Sequence, residues 1–126
     1  FDPSKMAKWD SNKIERLLQD PGIIRNKLKV EAARSNAQAY LKITKEFGSF
    51  DDFIWSFVDG KQHGNSWRTL SEIPATTQES DEMSKELKKR GFKFTGSTIC
   101  YAFMQAVGMV NDHVITCFRH KEIQNL

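Results

Sequence analysis

Two glycines, Gly91 and Gly96, constrain this chain more than any other feature, because they bound a short link between two helical stretches. The first stretch begins with acidic residues and ends with three bases, the charge order that a helix dipole favours. Gly91 suits the left-handed residue that ends such a helix, and Gly96 opens a second helix that Gly108 ends. Apolar residues recur at helical spacing in that second helix: Ile99, Cys100, Phe103, Met104 and Val107. The sequence therefore predicts a helix, a tight turn and a helix between about 80 and 108.

This predicted turn has the properties of an anion-binding surface. A glycine at each end lets the backbone approach a ligand closely, and the second helix points its free N–H groups there. Four bases surround the turn: Lys88, Lys89, Arg90 and Lys93. The pattern indicates contact with nucleic-acid phosphates. An ordinary corner between two helices, with glycines as caps and bases serving the helix dipole, explains the spacing equally well.

The composition is that of one soluble globular domain covering residues 1–126. Hydrophobic residues make up 39% and charged residues 28%, which excludes a disordered or membrane-spanning chain. No apolar run approaches a bilayer span and no signal peptide is visible, so we expect a cytoplasmic protein. Two cysteines, Cys100 and Cys117, are too few for a disulfide framework, and both are expected to be reduced. The net charge of +3 permits nucleic-acid binding but does not demonstrate it.

The remaining sequence predicts helices and no strand, and hence an all-α bundle. We expect a short helix from Pro3, capped by Asp2, to about Trp9, and a second helix that starts at Ser11 or Asn12. A long amphipathic helix is predicted from Ile24 to about Lys45, followed by a short, apolar one over 50–58. The long helix has its predicted apolar face at Leu28, Ala32, Ala33, Ala37, Tyr40 and Leu41. Residues 60–74 have the composition of a loop.

Four stretches of the sequence together resemble one known family. Residues 88–101 read KKRGFKFTGSTICY and 110–114 read VNDHV, while DPGIIRN stands at 20–26 and FIWSFV at 53–58. This combination resembles the bacterial 3-methyladenine DNA glycosylase I family, which belongs to the helix-hairpin-helix glycosylase superfamily. The match extends over nearly the whole chain.

The resemblance implies a function in base-excision repair. A member of this family hydrolyses the N-glycosidic bond of 3-methyladenine in double-stranded alkylated DNA, and its helix-hairpin-helix would lie at about 80–108. The residues that would contact one DNA strand are then Gly91, Phe92, Lys93, Phe94, Thr95, Gly96 and Ser97. A non-enzymatic helix-hairpin-helix module that binds only the duplex backbone is the alternative. A helical interaction domain with no nucleic-acid role is a third hypothesis.

His113 and Cys117 form a second group of interest. Four residues apart on a helix they would share one face, but two ligands are only half of a structural zinc site, and a coincidental pair explains the spacing as well. The resemblance implies that they are the C-terminal half of a zinc site, with a cysteine and a histidine in an N-terminal segment as the other ligands. His63 and Cys100 do not match those ligands, and His120 is expected to be exposed.

We expect that N-terminal segment to be missing from this chain, which begins Phe1-Asp2-Pro3 as if cut from a longer protein. The family's base pocket and its glutamate are implied to lie in the same segment, so no catalytic residue is assigned here and the fragment alone is expected to be inactive. Asn111 stands where superfamily relatives carry a catalytic aspartate, and Asp112 is one residue out of register. No lysine stands where lyase relatives place their nucleophile, so the resemblance implies a monofunctional enzyme.

Three tryptophans are candidates for stacking against a base. They are Trp9, Trp55 and Trp67. The resemblance places the family's pocket aromatics mainly upstream, so we assign all three to the core.

Overall fold

A computed structural model of the protein describes residues 1–125, and within that range the chain is mainly helical. Two 3-10 turns and a pair of very short strands complete the secondary structure. The α-helices are α1 (Pro3–Met6), α2 (Ser11–Gln19), α3 (Lys27–Phe47), α4 (Phe50–Trp55), α5 (Gln78–Lys89), α6 (Ser97–Ala106) and α7 (Phe118–Gln124). The predicted all-α fold is confirmed.

Side-chain caps decide where the first three helices begin. The Asp2 carboxylate accepts hydrogen bonds from two backbone amides of α1, as predicted. Helix α2 begins at Ser11, one of the two predicted starts, and is capped by Asp10, whose Oδ1 lies 2.7 Å from the amide nitrogen of Lys13. Asn26 caps α3 in the same way, which leaves Ile24 outside that helix. Short polar side chains at these positions bond to the backbone and fix the helix start more sharply than apolar periodicity does.

The contacts divide the chain into two compact units, of which the first contains Phe1–Phe53 and Glu86–Thr95. Its core forms along one face of α3. The buried apolar residues of this unit are Ile14, Ala32, Ala37, Ala39, Ile43, Phe53 and Leu87. Leu28 was predicted on that face but is 67% exposed. Periodicity aligns Leu28 with the face, but a face is buried only where another element covers it, and the first turn of α3 is uncovered at this residue.

Aromatic rings fill the rest of the first unit. The ring centroids of Tyr40 and Phe50 lie 4.9 Å apart, and those of Phe47 and Phe53 lie 5.0 Å apart. Phe92 joins the same group, with its ring centroid 6.2 Å from that of Phe50. These are the separations that aromatic pairs prefer, and they stabilise the unit beyond simple burial.

The second unit contains Ile54–Lys85 and the chain from Gly96 onward. Its buried apolar residues are Ile54, Met83, Cys100, Tyr101, Met104, Met109 and Val110. Strands β1 (His63–Gly64) and β2 (Val110–Asn111) pair in parallel, with His63 opposite Val110 and Gly64 opposite Asn111. Two residues are too few to show an alternating pattern, which is why the sequence predicted only a loop here.

The single domain predicted over residues 1–126 stays a prediction, and Leu126 lies outside the described residues. Trp9, Trp55 and Trp67 are half-buried. Over residues 1–125, neither cysteine forms a disulfide. No helix in the same range has both the length and the apolar character needed to cross a bilayer.

Candidate nucleic-acid interface and metal half-site

The turn between α5 and α6, residues 90–96, begins with a regular helix termination. The amide of Gly91 donates to the carbonyl of Lys88 and the amide of Phe92 donates to the carbonyl of Leu87, both at 3.0 Å. Gly91 has φ +96°, as the sequence predicted. This is the Schellman pattern, in which the two amides satisfy carbonyls at the end of the helix. Gly91 and Phe92 therefore shape the turn, and their amides are already occupied.

The start of α5 differs slightly from the prediction. Thr77 and Ser80 bond reciprocally, the Thr77 amide to the Ser80 hydroxyl at 2.9 Å and the Ser80 amide to the Thr77 hydroxyl at 3.3 Å. The helix thus begins at Gln78, before the acidic residues that the sequence analysis took as its start. The Ser80 hydroxyl takes the role that a glutamate has in the capping box. The sequence therefore carried a signal for this helix start, although a weaker one than a glutamate gives.

The middle of the turn is fastened to α3 through Asn36. The Lys93 amide donates to Asn36 Oδ1 at 2.8 Å, and Asn36 Nδ2 donates to the Lys93 carbonyl at 3.0 Å. Phe94 follows with φ +60° and is 54% exposed. The Lys29 ammonium lies 6.0 Å from the centroid of the Phe94 ring. The turn thus carries an exposed aromatic residue in a backbone conformation that non-glycine residues rarely adopt.

The last part of the turn opens helix α6. Gly96 is its N-cap, with φ −67° and ψ 159°, and offers no capping side chain. The Cys100 amide is the first to bond within the helix, to the Gly96 carbonyl at 2.9 Å. The preceding amides have no carbonyl partner within α6. A Cβ built at Gly96 meets no atom within 4 Å, so the protein leaves space for a ligand to approach.

Thr95 and Ser97 flank Gly96 and are both half-buried. The Ser97 hydroxyl lies 2.8 Å from the Ser80 hydroxyl. The backbone amide of Ser97 is therefore its remaining group for an anion.

The four bases near the turn are not equivalent. Arg90 donates to Glu46 at 2.7 Å and to Glu86 at 2.8 Å, and its guanidinium carbon lies 4.8 Å from the centroid of the Phe47 ring. The hydrogen bond that Arg90 donates to Glu46 raises the pKa of Arg90. Lys88, Lys89 and Lys93 are exposed, and Lys89 lies 3.7 Å from Glu86. Arg90 is thus already paired with two carboxylates, and the contact of this turn with phosphates stays a prediction.

His113 and Cys117 lie together, but they do not share a helix. His113 lies between β2 and α7, and Cys117 is the N-cap of α7. A turn closed by the bond from the Cys117 amide to the Val114 carbonyl, at 2.8 Å, brings Cys117 Sγ within 3.7 Å of His113 Nδ1. The predicted helical arrangement is therefore wrong, although the predicted proximity of the two side chains holds.

The distance between these two atoms suits a shared metal. A tetrahedral zinc with Zn–S of about 2.3 Å and Zn–N of about 2.0–2.1 Å would place the two ligand atoms roughly 3.6 Å apart. In the part of the chain that the structure describes, no three His, Cys, Asp or Glu side chains come together as a metal cluster. The pair thus fits half of a zinc site.

A buried cluster around Asp112 is the largest feature that the sequence analysis missed. Asp112 is 8% exposed, and its Oδ1 accepts from Asn65 at 2.8 Å and Trp67 Nε1 at 2.7 Å. Its Oδ2 accepts from the Tyr101 hydroxyl and from Gln105 Nε2 at 2.9 Å. Burial alone would raise the pKa of Asp112, but the four donors lower it below its ordinary value. Burial, reinforced by the Asp112 carboxylate, raises the pKa of Tyr101.

Asn111 and His120 extend this buried structure. Asn111 is 1% exposed and donates to the His120 carbonyl at 2.8 Å. His120 is 8% exposed, and its Nε2 lies 2.8 Å from the carbonyl of Asn65. The expectation of an exposed His120 is wrong, because a contact distant in sequence decides its burial. Asn111 and Asp112 both join segments of the chain through these bonds, and their exclusion as catalytic groups stays a prediction.

Comparison with known proteins identifies the family. A model of the methyladenine glycosylase family matches residues 1–120. DNA-3-methyladenine glycosylase 1 of Escherichia coli K12 is 54% identical over 117 residues, which are 93% of this chain and 63% of that protein. The chain therefore spans less than two thirds of the length of this relative.

Solved structures agree with the sequence match. A crystal structure of 3-methyladenine DNA glycosylase I superimposes with a TM-score of 0.88 at 51% identity, covering 93% of this chain and 64% of the other. A variant of 3-methyladenine DNA glycosylase I in complex with 3-methyladenine gives 0.89 at 35% identity, covering 93% and 63%. The chain belongs to the methyladenine glycosylase family.

Proposed function

We propose that this chain is the DNA-binding part of a base-excision repair enzyme, a monofunctional glycosylase that hydrolyses the N-glycosidic bond of 3-methyladenine in alkylated double-stranded DNA. Its relatives are named DNA-3-methyladenine glycosylases, and a variant of one has been solved in complex with 3-methyladenine. The observation that carries the proposal is the start of α6, where amides without a helical partner lie beside a glycine with open space around it. The protein acts in the cytoplasm, together with its DNA.

The DNA-binding segment is a helix-hairpin-helix that grips the backbone of one strand. The backbone amides at the start of α6 donate hydrogen bonds to phosphate oxygens, and Lys93 is an exposed cation of the same turn. Gly91 and Phe92 give the turn its path, and Phe94 projects from it. Gly96 permits close approach because a side chain there would occupy the space of the phosphate.

The reaction requires that the damaged base leave the base stack of the DNA duplex. The enzyme flips the nucleotide, stacks the base between aromatic side chains and reads its edge. An alkylated adenine is cationic and leaves readily, so less acid catalysis is needed than in ordinary glycoside hydrolysis. We assign no catalytic residue to this chain and propose that the base pocket comes from a segment equivalent to the unmatched length of the relatives.

We also propose that His113 and Cys117 bind a structural zinc together with two ligands from that segment. The 3.7 Å between their ligand atoms supports this role. A structural zinc would hold the link between β2 and α7 against that segment of the intact protein. Metal analysis of the intact protein should give one zinc per chain, lost in His113→Ala and kept in His63→Ala, a control histidine that is also exposed.

The DNA-binding role is tested by Gly96→Val, with Gly64→Val as the matched control. Neither position has an atom within 4 Å of an added Cβ, so both variants should fold. We expect Gly96→Val to weaken binding to a labelled duplex roughly tenfold, equivalent to about 1.4 kcal/mol, and Gly64→Val to leave it unchanged. Fluorescence anisotropy at two salt concentrations measures both. Equal affinity of the two variants would remove the proposed role of the turn.

The alternative, a helix-hairpin-helix module without enzymatic activity, shares the salt-dependent binding and differs in the reaction. Incubation of the intact protein with methylated duplex DNA should release free 3-methyladenine, which chromatography detects. Binding without release would favour the non-enzymatic module. An absence of any salt-dependent binding would favour a helical interaction domain instead.

A further inference from the structure

Asn36, in the middle of α3, makes a pair of reciprocal side-chain bonds to one backbone residue of the turn. It accepts from the Lys93 amide at 2.8 Å and donates to the Lys93 carbonyl at 3.0 Å. A backbone amide can only donate and a carbonyl can only accept, so these two partners also fix which end of the Asn36 amide faces which atom. The Asn36 side chain thus supplies an acceptor for the Lys93 amide and a donor for the Lys93 carbonyl.

The position of this contact within the turn gives it significance. Gly91 and Phe92 are held by the end of α5, and Phe94 has φ +60°. A left-handed conformation is unfavourable for a non-glycine residue, so neighbouring contacts have to hold it. Lys93, directly before Phe94, is the residue whose amide and carbonyl are both fixed by Asn36. A turn that relaxed to a favourable φ at Phe94 would have to move the backbone that Asn36 holds.

The same helix contributes a second contact to this part of the turn. Lys29 lies on α3 two helical turns before Asn36, and its ammonium lies 6.0 Å from the Phe94 ring centroid. Helix α3 thus interacts with the backbone of Lys93, which precedes the strained residue, and with the side chain of Phe94 itself. We propose that Asn36 is a positioning residue that holds the DNA-binding turn in its binding conformation, an inference that rests on the proposed DNA-binding function.

Gln38 provides a matched control on the same helix. Its Nε2 donates to the Ala7 carbonyl at 3.0 Å, which is the same kind of amide-to-backbone bond but is directed to α1 instead of the turn. Alanine favours a helix at either position. Asn36→Ala and Gln38→Ala should therefore destabilise the intact protein by similar, small amounts, and only the first should alter the turn.

The experiment measures duplex affinity, thermal unfolding and amide hydrogen exchange in the intact protein. We expect Asn36→Ala to weaken binding of a labelled duplex five- to tenfold, with a Tm close to that of Gln38→Ala, and to speed exchange of the Lys93 amide. A second variant, Asn36→Asp, keeps an acceptor for that amide but cannot donate to the carbonyl at neutral pH. It should restore the slow exchange of Lys93.

Equal duplex affinity in Asn36→Ala and Gln38→Ala would overturn the proposal, and so would unchanged exchange at Lys93. Failure of the proposed function looks different, because then the unsubstituted protein itself shows no salt-dependent affinity for the duplex. In that case the exchange data still decide whether Asn36 holds the turn, and the inference about DNA is rejected with the function.

Discussion

The Asp112 cluster and the turn between α5 and α6 both use one short polar side chain to hold chain segments in place, yet they end in opposite states. Asp112 is 8% exposed and accepts four side-chain hydrogen bonds. The turn is largely exposed, and although Asn36 holds Lys93, the first amides of α6 lack a partner within their helix. A saturated site has no capacity left for a ligand, whereas an unsaturated one at the surface does.

The difference follows from the cost of burying polar groups. A buried donor or acceptor without a partner costs more than most contacts contribute, so nearly all polar groups in the interior of a fold are hydrogen-bonded. At the surface, water satisfies the same groups at little cost and leaves when an anion binds. An incomplete set of bonds is therefore tolerable only at the surface, which makes the start of α6 the better site for binding and Asp112 the better anchor.

The largest expected effect comes from removing the centre of the saturated cluster. Asp112→Ala leaves four donors without their acceptor, including the hydroxyl of the buried Tyr101, and should lower the free energy of unfolding by about 3–5 kcal/mol. Urea unfolding measures the loss. Asp81→Ala, at an exposed acid in the first turn of α5, should cost less than about 1 kcal/mol. Similar losses in both would contradict the distinction drawn between the cluster and the surface.

An intermediate effect is expected at the first glycine of the turn. Gly91→Ala places a residue with a side chain at a backbone φ of +96° and should cost roughly 1–2 kcal/mol of stability, although space for the Cβ is available. Gly96→Ala, at φ −67°, should have little effect on stability. Thermal unfolding of the two variants separates the conformational role of Gly91 from the role of Gly96 in close approach. A larger loss at Gly96 would reverse these assignments.

The smallest expected effect is the contribution of Asp112 to stability against acid. Its pKa is lower in the folded chain than the ordinary value of 3.8, so the ionised form favours folding. This stabilisation is complete above the pKa of the unfolded chain and is lost as the pH falls through the lower folded pKa. Tyr101→Phe removes one donor, raises that folded pKa and should shift the loss to higher pH. Urea titrations between roughly pH 2 and 5, a range that extends to both sides of the ordinary value of 3.8, measure this shift.

Much of the fold could be predicted from local sequence signals. Gly91 and Gly96 marked the turn, Asp2 marked the first helix, and the apolar spacing of α6 was sufficient to place that helix. Each of these signals acts within a few residues of the structure that it specifies. The proximity of His113 and Cys117 was also predicted, although through the wrong local geometry.

The roles of individual polar residues required the tertiary structure. Asn36 and Lys93 are 57 positions apart, Asp112 and Asn65 are 47 apart, and Arg90 and Glu46 are 44 apart. Neither periodicity nor local charge order identifies such partners. The sequence therefore did not show that Arg90 is paired with Glu46, and His120 was expected to face solvent.

The sequence by itself determined most of the helices, the glycine-bounded turn and the family, because these depend on neighbouring residues and on their order. Only the tertiary structure decided which polar groups are already paired and which remain for a ligand. That distinction depends on contacts between segments far apart in the chain. Burial makes a missing hydrogen-bond partner costly, and only the approach of another segment provides that partner.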